Sequence, residues 1–120
     1  MGTASGERRT TVESTDGTRI GVTCAGEGPS LVLVEPAGHH RGFSAFDGLV
    51  PLLRSDFTIV TYDRRGRGAS TDTAPYSVLR EVEDLAAVLE ETGGPGDVFG
   101  TSSGALLAAV AYVGSKDRQV

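Results

Sequence analysis

The chain is 120 residues long, enough for one domain and one hydrophobic core. Its 38% hydrophobic and 22% charged residues are those of a globular sequence, and a formal net charge of −5 argues against a nucleic-acid surface, which needs a basic face. The single cysteine, Cys24, excludes a disulfide within the chain and a cysteine-built zinc site, and no stretch approaches the roughly 20 apolar residues of a membrane helix.

Residues 1–13 contain no apolar run of the signal-peptide kind, and Gly6 stands where a myristoylation pattern needs Ser or Thr, so a cytoplasmic protein is expected. Residues 8–14 are rich in Thr and Val, residues 18–25 alternate loosely, and Thr15-Asp16-Gly17 between them is a turn signal; together they predict an antiparallel hairpin. After the break at Gly26-Glu27-Gly28-Pro29, the apolar run Leu31-Val32-Leu33-Val34 reads as a strand buried on both faces. A Gly- and His-containing loop follows over 36–42. Phe43, Phe46, Leu49, Val50 and Leu53 have helical spacing and predict a helix over 44–54, weakened by Pro51.

Residues 57–62 form the next predicted strand, and a Gly- and Arg-rich loop runs over 63–70. Ser77 is the predicted N-cap of a second helix with Val78, Val82, Leu85 and Leu89 as its apolar stripe. Glu81, Glu83 and Asp84 lie in its early turns, where they favour the helix dipole. Gly93-Gly94-Pro95 stops that helix, Asp97-Val98-Phe99 is a short strand, and a third helix is expected over 104–113, apolar on every side and deeply buried. The alternation implies an α/β fold: a mostly parallel sheet with helices on both faces and an N-terminal antiparallel hairpin. Residues 1–9 and 115–120 are expected to be flexible ends.

One motif carries chemistry. Gly100-Thr101-Ser102-Ser103-Gly104 fits G-x-S-x-G and falls between a strand and a buried helix, the setting of a nucleophile elbow. Glycines at both ends remove Cβ atoms from a sharp turn. Ser102 is the candidate nucleophile, and the Ser103 N–H at the helix N-terminus is a candidate donor to a developing oxyanion. A second donor is expected from the loop after the first parallel strand. Pro36 has no N–H, which leaves Ala37. The competing reading makes Ser102 a helix N-cap and the glycines mere turn residues. His39 and His40 are the only histidines; adjacent side chains seldom converge on one group, so a surface or site-lining role is favoured over that of general base. Asp63-Arg64-Arg65-Gly66-Arg67-Gly68-Ala69-Ser70 has a G-x-G but no third glycine at dinucleotide-binding spacing, and is read as structural, with Asp63 capping the loop or pairing with an arginine. No metal site and no cofactor are indicated.

The run from Leu31 through Ala37, the Tyr62-Asp63-Arg64-Arg65-Gly66-Arg67-Gly68-Ala69-Ser70 string and the Ser102 motif resemble the α/β-hydrolase fold family over about residues 10–113. The resemblance implies a strand order of 1-2-4-3-5 and hydrolysis of a small ester or related carboxyl substrate. Ser102 would be the nucleophile, with Ala37 and Ser103 as oxyanion donors, and no cofactor, metal, nucleic acid or membrane would be involved. Haloalkane dehalogenases and epoxide hydrolases of this fold use Asp as the nucleophile, so Ser102 disfavours those activities. Glu35-Pro36 stands where the family usually has His-Gly. In the family an acid and a histidine follow the serine, yet no histidine follows Ser102 here. The expectation is therefore a single incomplete α/β-hydrolase domain over 1–120, inactive by itself. The alternatives are a truncated, non-catalytic fragment that binds a ligand or partner, and a lyase or cofactor-free peroxidase on the same scaffold.

Overall fold

The computed structural model describes residues 7–42, 44–92 and 97–100 and the single positions 104 and 107. Five strands, β1 (Glu7–Glu13), β2 (Arg19–Gly26), β3 (Ser30–Val34), β4 (Thr58–Tyr62) and β5 (Asp97–Gly100), form one sheet in the order β1-β2-β4-β3-β5. This is the order the resemblance implied. The sheet is mixed. β2 pairs antiparallel with β1 and with β4, while β3 is parallel to β4 and to β5.

The β1–β2 turn forms as its residues dictate. The Gly17 N–H donates to Ser14 O (2.9 Å), and Gly17 adopts φ +88°, open to glycine at no steric cost. Asp16 Oδ1 accepts from the Thr18 N–H (3.1 Å) and the Thr18 hydroxyl (2.7 Å), an Asx-type brace.

Strand periodicity divides the core into two. Val32 and Val34 of β3 and Val60 and Tyr62 of β4 face helix α2 (Val78–Glu91) and share one core with its Val82, Leu85 and Val88 and with Leu107, which follows β5. Leu33 and Ile59 point the other way, onto Phe46, with Leu31, Leu49, Val50, Leu53 and Phe57 packed around them. Helical segments thus cover both faces, as the two-residue strand repeat requires of a sheet apolar on each side. Cys24 is buried in the α2-side core, and burial pushes its thiol up, consistent with an inert structural cysteine.

α2 begins as predicted. Ser77 is extended (φ −157°), and its hydroxyl accepts the Arg80 N–H at 3.2 Å. The helix expected over 44–54 is different: only α1 (Val50–Leu53) is helical, preceded by turns. Pro51 explains this. It has no N–H to extend a ladder backwards, and its ring is tolerated only in a first turn, so regular helix cannot start much before it. The Leu49 and Val50 N–H groups both reach Phe46 O, at 2.9 and 3.1 Å, which closes turns in place of the expected helix. Gly104 and Leu107 have helical backbone; the rest of the expected third helix and the predicted stop at Gly93-Gly94-Pro95 lie outside the described residues. Among the described residues no helix is long and apolar enough to cross a membrane.

Candidate active site

The C-terminal ends of the parallel strands β3, β4 and β5 share one sheet edge, the place where open α/β sheets build their sites. Three segments leave that edge.

The segment after β3 starts with Glu35 and Pro36, both buried, and emerges at Ala37 and Gly38. The His39 N–H donates to Pro36 O (3.1 Å), with Gly38 at φ +88° in the third position of the turn, the glycine position of a type II turn. Ala37 therefore sits on the exposed rim. His40 is half-buried and its Nδ1 accepts the Gly42 N–H at 3.1 Å, so that nitrogen serves a local turn. The Glu35 carboxylate is turned inward. Its Oε2 accepts the Ser44 hydroxyl and its Oε1 accepts the Ala45 N–H at 3.0 Å.

The segment after β4 is held by its charges. Asp63 Oδ1 accepts the Arg41 N–H (2.7 Å); Oδ2 accepts Arg41 Nη2 (3.0 Å) and the Ala69 N–H (2.8 Å). Asp63 thus both caps the loop and pairs with an arginine, as its sequence suggested. Burial pushes its carboxyl up, but the Arg41 and Ala69 N–H groups and the Arg41 guanidinium outweigh that and hold it below the usual carboxylate range. Gly68, at φ +53°, packs on the same carboxylate, and a Cβ there would collide with it. Arg64 forks onto Glu81 of α2 (2.7 and 2.8 Å) and also donates to Glu35 O (3.0 Å). Arg65 forks onto Asp84 (2.8 and 2.7 Å) and reaches back to Asp16 at 2.9 Å. Both guanidiniums are buried and bound to acids, so the loop is structural and not a phosphate cradle.

The segment after β5 passes from strand at Gly100 to helical backbone at Gly104. Gly104 packs directly on the end of β3: a Cβ there would collide with Val34 O and lie 3.1 Å from Glu35 O. The second glycine of the motif is thus required by a close backbone approach. Ser102 and Ser103 lie outside the described residues. Among the described residues no group of three His, Cys, Asp or Glu side chains could hold a metal.

From their place in the early turns, Glu81 and Asp84 are expected to favour the helix dipole; the structure buries both as the partners of Arg64 and Arg65. A signal existed, since the two acids flank the buried positions Val82 and Leu85 on one side of α2. Arg41 and Ser44 are anchors that the sequence does not announce. Nothing in their local pattern sets them apart, because their partners Asp63 and Glu35 are 22 and 9 residues away.

A model of the alpha/beta hydrolase family matches residues 27–118. "Probable oxidoreductase EphD" of Mycobacterium tuberculosis is 41% identical over 91 residues, 72% of this chain and 15% of that protein. An alpha/beta hydrolase from Sphaerobacter thermophilus superposes with a TM-score of 0.80 at 49% identity, over 85% of this chain and 39% of its own. An epoxide hydrolase from an endophytic Streptomyces superposes with a TM-score of 0.80 at 26% identity, over 90% of this chain and 33% of its own. The chain therefore spans well under half the length of each of these proteins.

Proposed function

We propose, on the premise that this chain belongs to the alpha/beta hydrolase family, that it contributes the nucleophile and oxyanion site of a hydrolase for small esters or related carboxyl substrates. The observation that carries this reading is the packing of Gly104. G-x-S-x-G is a common string, but here its last glycine is pressed against the Val34 and Glu35 carbonyls at the catalytic edge of the sheet. A mere N-cap serine would not require that contact, whereas a strand-to-helix elbow brought over the end of β3 does.

In this reading Ser102 Oγ attacks the substrate carbonyl carbon. The carbonyl oxygen gathers negative charge and is held by the N–H groups of Ser103 and Ala37, about 3 Å away in the tetrahedral state. The alkoxide or amine leaves with a proton delivered by a general acid, and water then releases the acyl group. A serine hydroxyl needs a base to do this at neutral pH. The two histidines, His39 and His40, lie on the oxyanion-side loop, and His40 Nδ1 is already an acceptor for Gly42, so neither is assigned that role. An epoxide hydrolase is among the similar structures, but epoxide opening on this fold uses Asp where this chain has Ser102.

The experiment is to assay the protein, as its gene encodes it, against p-nitrophenyl acetate and styrene oxide, with Ser102→Ala in parallel. Ester turnover that disappears in Ser102→Ala supports the reading. Epoxide turnover that survives Ser102→Ala overturns it. The 120 residues by themselves are expected to hydrolyse the ester no faster than their Ser102→Ala variant, because neither His39 nor His40 is assigned as the base.

A further inference from the structure

We infer that Glu35 is a positioning residue: its buried carboxylate clasps shut the loop that follows β3 and so sets where the Ala37 N–H stands. The last step rests on the ester-hydrolase reading above; the clasp itself does not.

Glu35 is fully buried. A carboxylate taken out of water needs its oxygens met by donors, or it is strongly destabilising. Here both donors come from one place, the far end of the loop. Oε2 takes the Ser44 hydroxyl and Oε1 the Ala45 N–H at 3.0 Å, so residue 35 is tied to a point ten residues along the chain. Both carboxyl oxygens are thus engaged by the same short stretch of chain, and this two-point tie closes an otherwise irregular loop.

The clasp continues outward on both sides. Ser44 Oγ accepts the Phe46 N–H (3.0 Å), and the Phe46 ring packs edge-on to Phe99 of β5 with centroids 6.1 Å apart. β5 is the strand that leads to Ser102. On the backbone side, Glu35 O receives Arg64 Nη1 (3.0 Å) and faces Gly104. Glu35 is thus the residue at which the segments after β3, β4 and β5 meet. Between it and Ala37 stands only Pro36, whose ring fixes φ and leaves little slack to absorb a shift. Movement of the clasp is transmitted to the Ala37 N–H. An oxyanion donor acts on charge that develops in the transition state, so displacing it lowers kcat and leaves KM nearly unchanged.

The test compares Glu35→Ala, Glu35→Gln and Ser44→Ala with the parent protein. Glutamine keeps one carbonyl acceptor and can turn its amide to Ser44, so it restores most of what alanine removes. Amide hydrogen exchange is read at Arg41, Ala45 and Phe46, with β3 and β4 amides as internal controls. The expected result is exchange about tenfold faster or more at those three amides in Glu35→Ala and Ser44→Ala, with unchanged strands and near-parental behaviour in Glu35→Gln. Arg41 is the discriminating amide, since it bonds to Asp63 and not to Glu35. Unchanged protection in Glu35→Ala overturns the clasp. Kinetically, Glu35→Ala is expected to lose about 10- to 100-fold in kcat, with KM within roughly threefold and recovery in Glu35→Gln. Faster exchange with kcat unchanged overturns the positioning role. Absence of any Ser102-dependent turnover in the parent overturns the hydrolase reading and, with it, the Ala37 step, while the exchange data still decide the clasp.

Discussion

On the α2 side of the sheet, a regular amphipathic helix lays Val82, Leu85 and Val88 on the inward residues of β1 to β4, and its flanking acids Glu81 and Asp84 take Arg64 and Arg65 out of solvent. On the other side, α1 spans a single turn, the core is Leu33, Ile59 and Phe46 with partly buried neighbours, and irregular chain is held by Arg41–Asp63 and by Glu35 on Ser44 and Ala45. A helix spreads its hold over many contacts, so the loss of one is buffered. The loop side depends on a few polar anchors, each placed by one residue. The rim that carries Ala37 belongs to this second kind, which makes it both adjustable and vulnerable to single substitutions.

The comparison breaks most readily at the buried charges. Arg65→Met leaves Asp84, whose side chain is 1% exposed, without its cation, and about 3–5 kcal/mol of stability should be lost in urea unfolding. Adding Asp84→Leu should return much of that loss; if it does not, the pair does more than satisfy itself. The same logic gives the pH dependence. Burial pushes the Glu81 carboxyl up, but Arg64 and Tyr76 outweigh it, so Glu81, like Asp63, lies below its ordinary value. Groups depressed in the folded state contribute stability that is complete above the ordinary carboxylate range, about pH 4, and is lost as pH falls through their lower folded values. Melting temperature should therefore drop steeply below about pH 4, and a flat profile down to pH 2 would contradict these pairings.

The apolar contrast comes next. Leu85→Ala, at a fully buried position on the inner face of α2, should cost about 2–5 kcal/mol. Leu53→Ala, half-buried on the opposite face, should cost about 1 kcal/mol. Equal costs would mean that the second face is as tightly built as the first.

The smallest effects test the glycines. Gly104→Ala drives a Cβ into the Val34 carbonyl and should cost about 1–3 kcal/mol. Gly48→Ala meets nothing within 4 Å and should be neutral or stabilise by up to about 1 kcal/mol. A tolerated Gly104→Ala would remove the observation on which the elbow reading stands.

Much of this was legible in the sequence where the signal was local. The Thr15-Asp16-Gly17 turn, the apolar run of β3, the Ser77 cap and the stripe of α2 each follow from a few adjacent residues whose conformations or spacing leave little choice. The expected first helix shows the limit. Phe43, Phe46, Leu49, Val50 and Leu53 have helical spacing, but Pro51 removes the hydrogen bond that would have carried the helix backwards, and four residues remain. The motif around Ser102 and Ser103 is a sequence reading still; what tertiary structure adds is the close seat of Gly104 on β3.

By itself, then, the sequence determined the order of elements, the hairpin, the capped helix and the candidate nucleophile, because those rest on backbone preferences and on periodicity within a short window. Tertiary structure alone decided which acid each arginine would meet. Arg64 finds Glu81 across 17 residues, and Arg65 finds Asp84 across 19 and Asp16 across 49. It also decided that Glu35 would turn inward to Ser44 and not outward to solvent. A charge has no local periodicity that names its partner. Its pairing is settled only when strand order and helix docking have fixed which groups lose their water together.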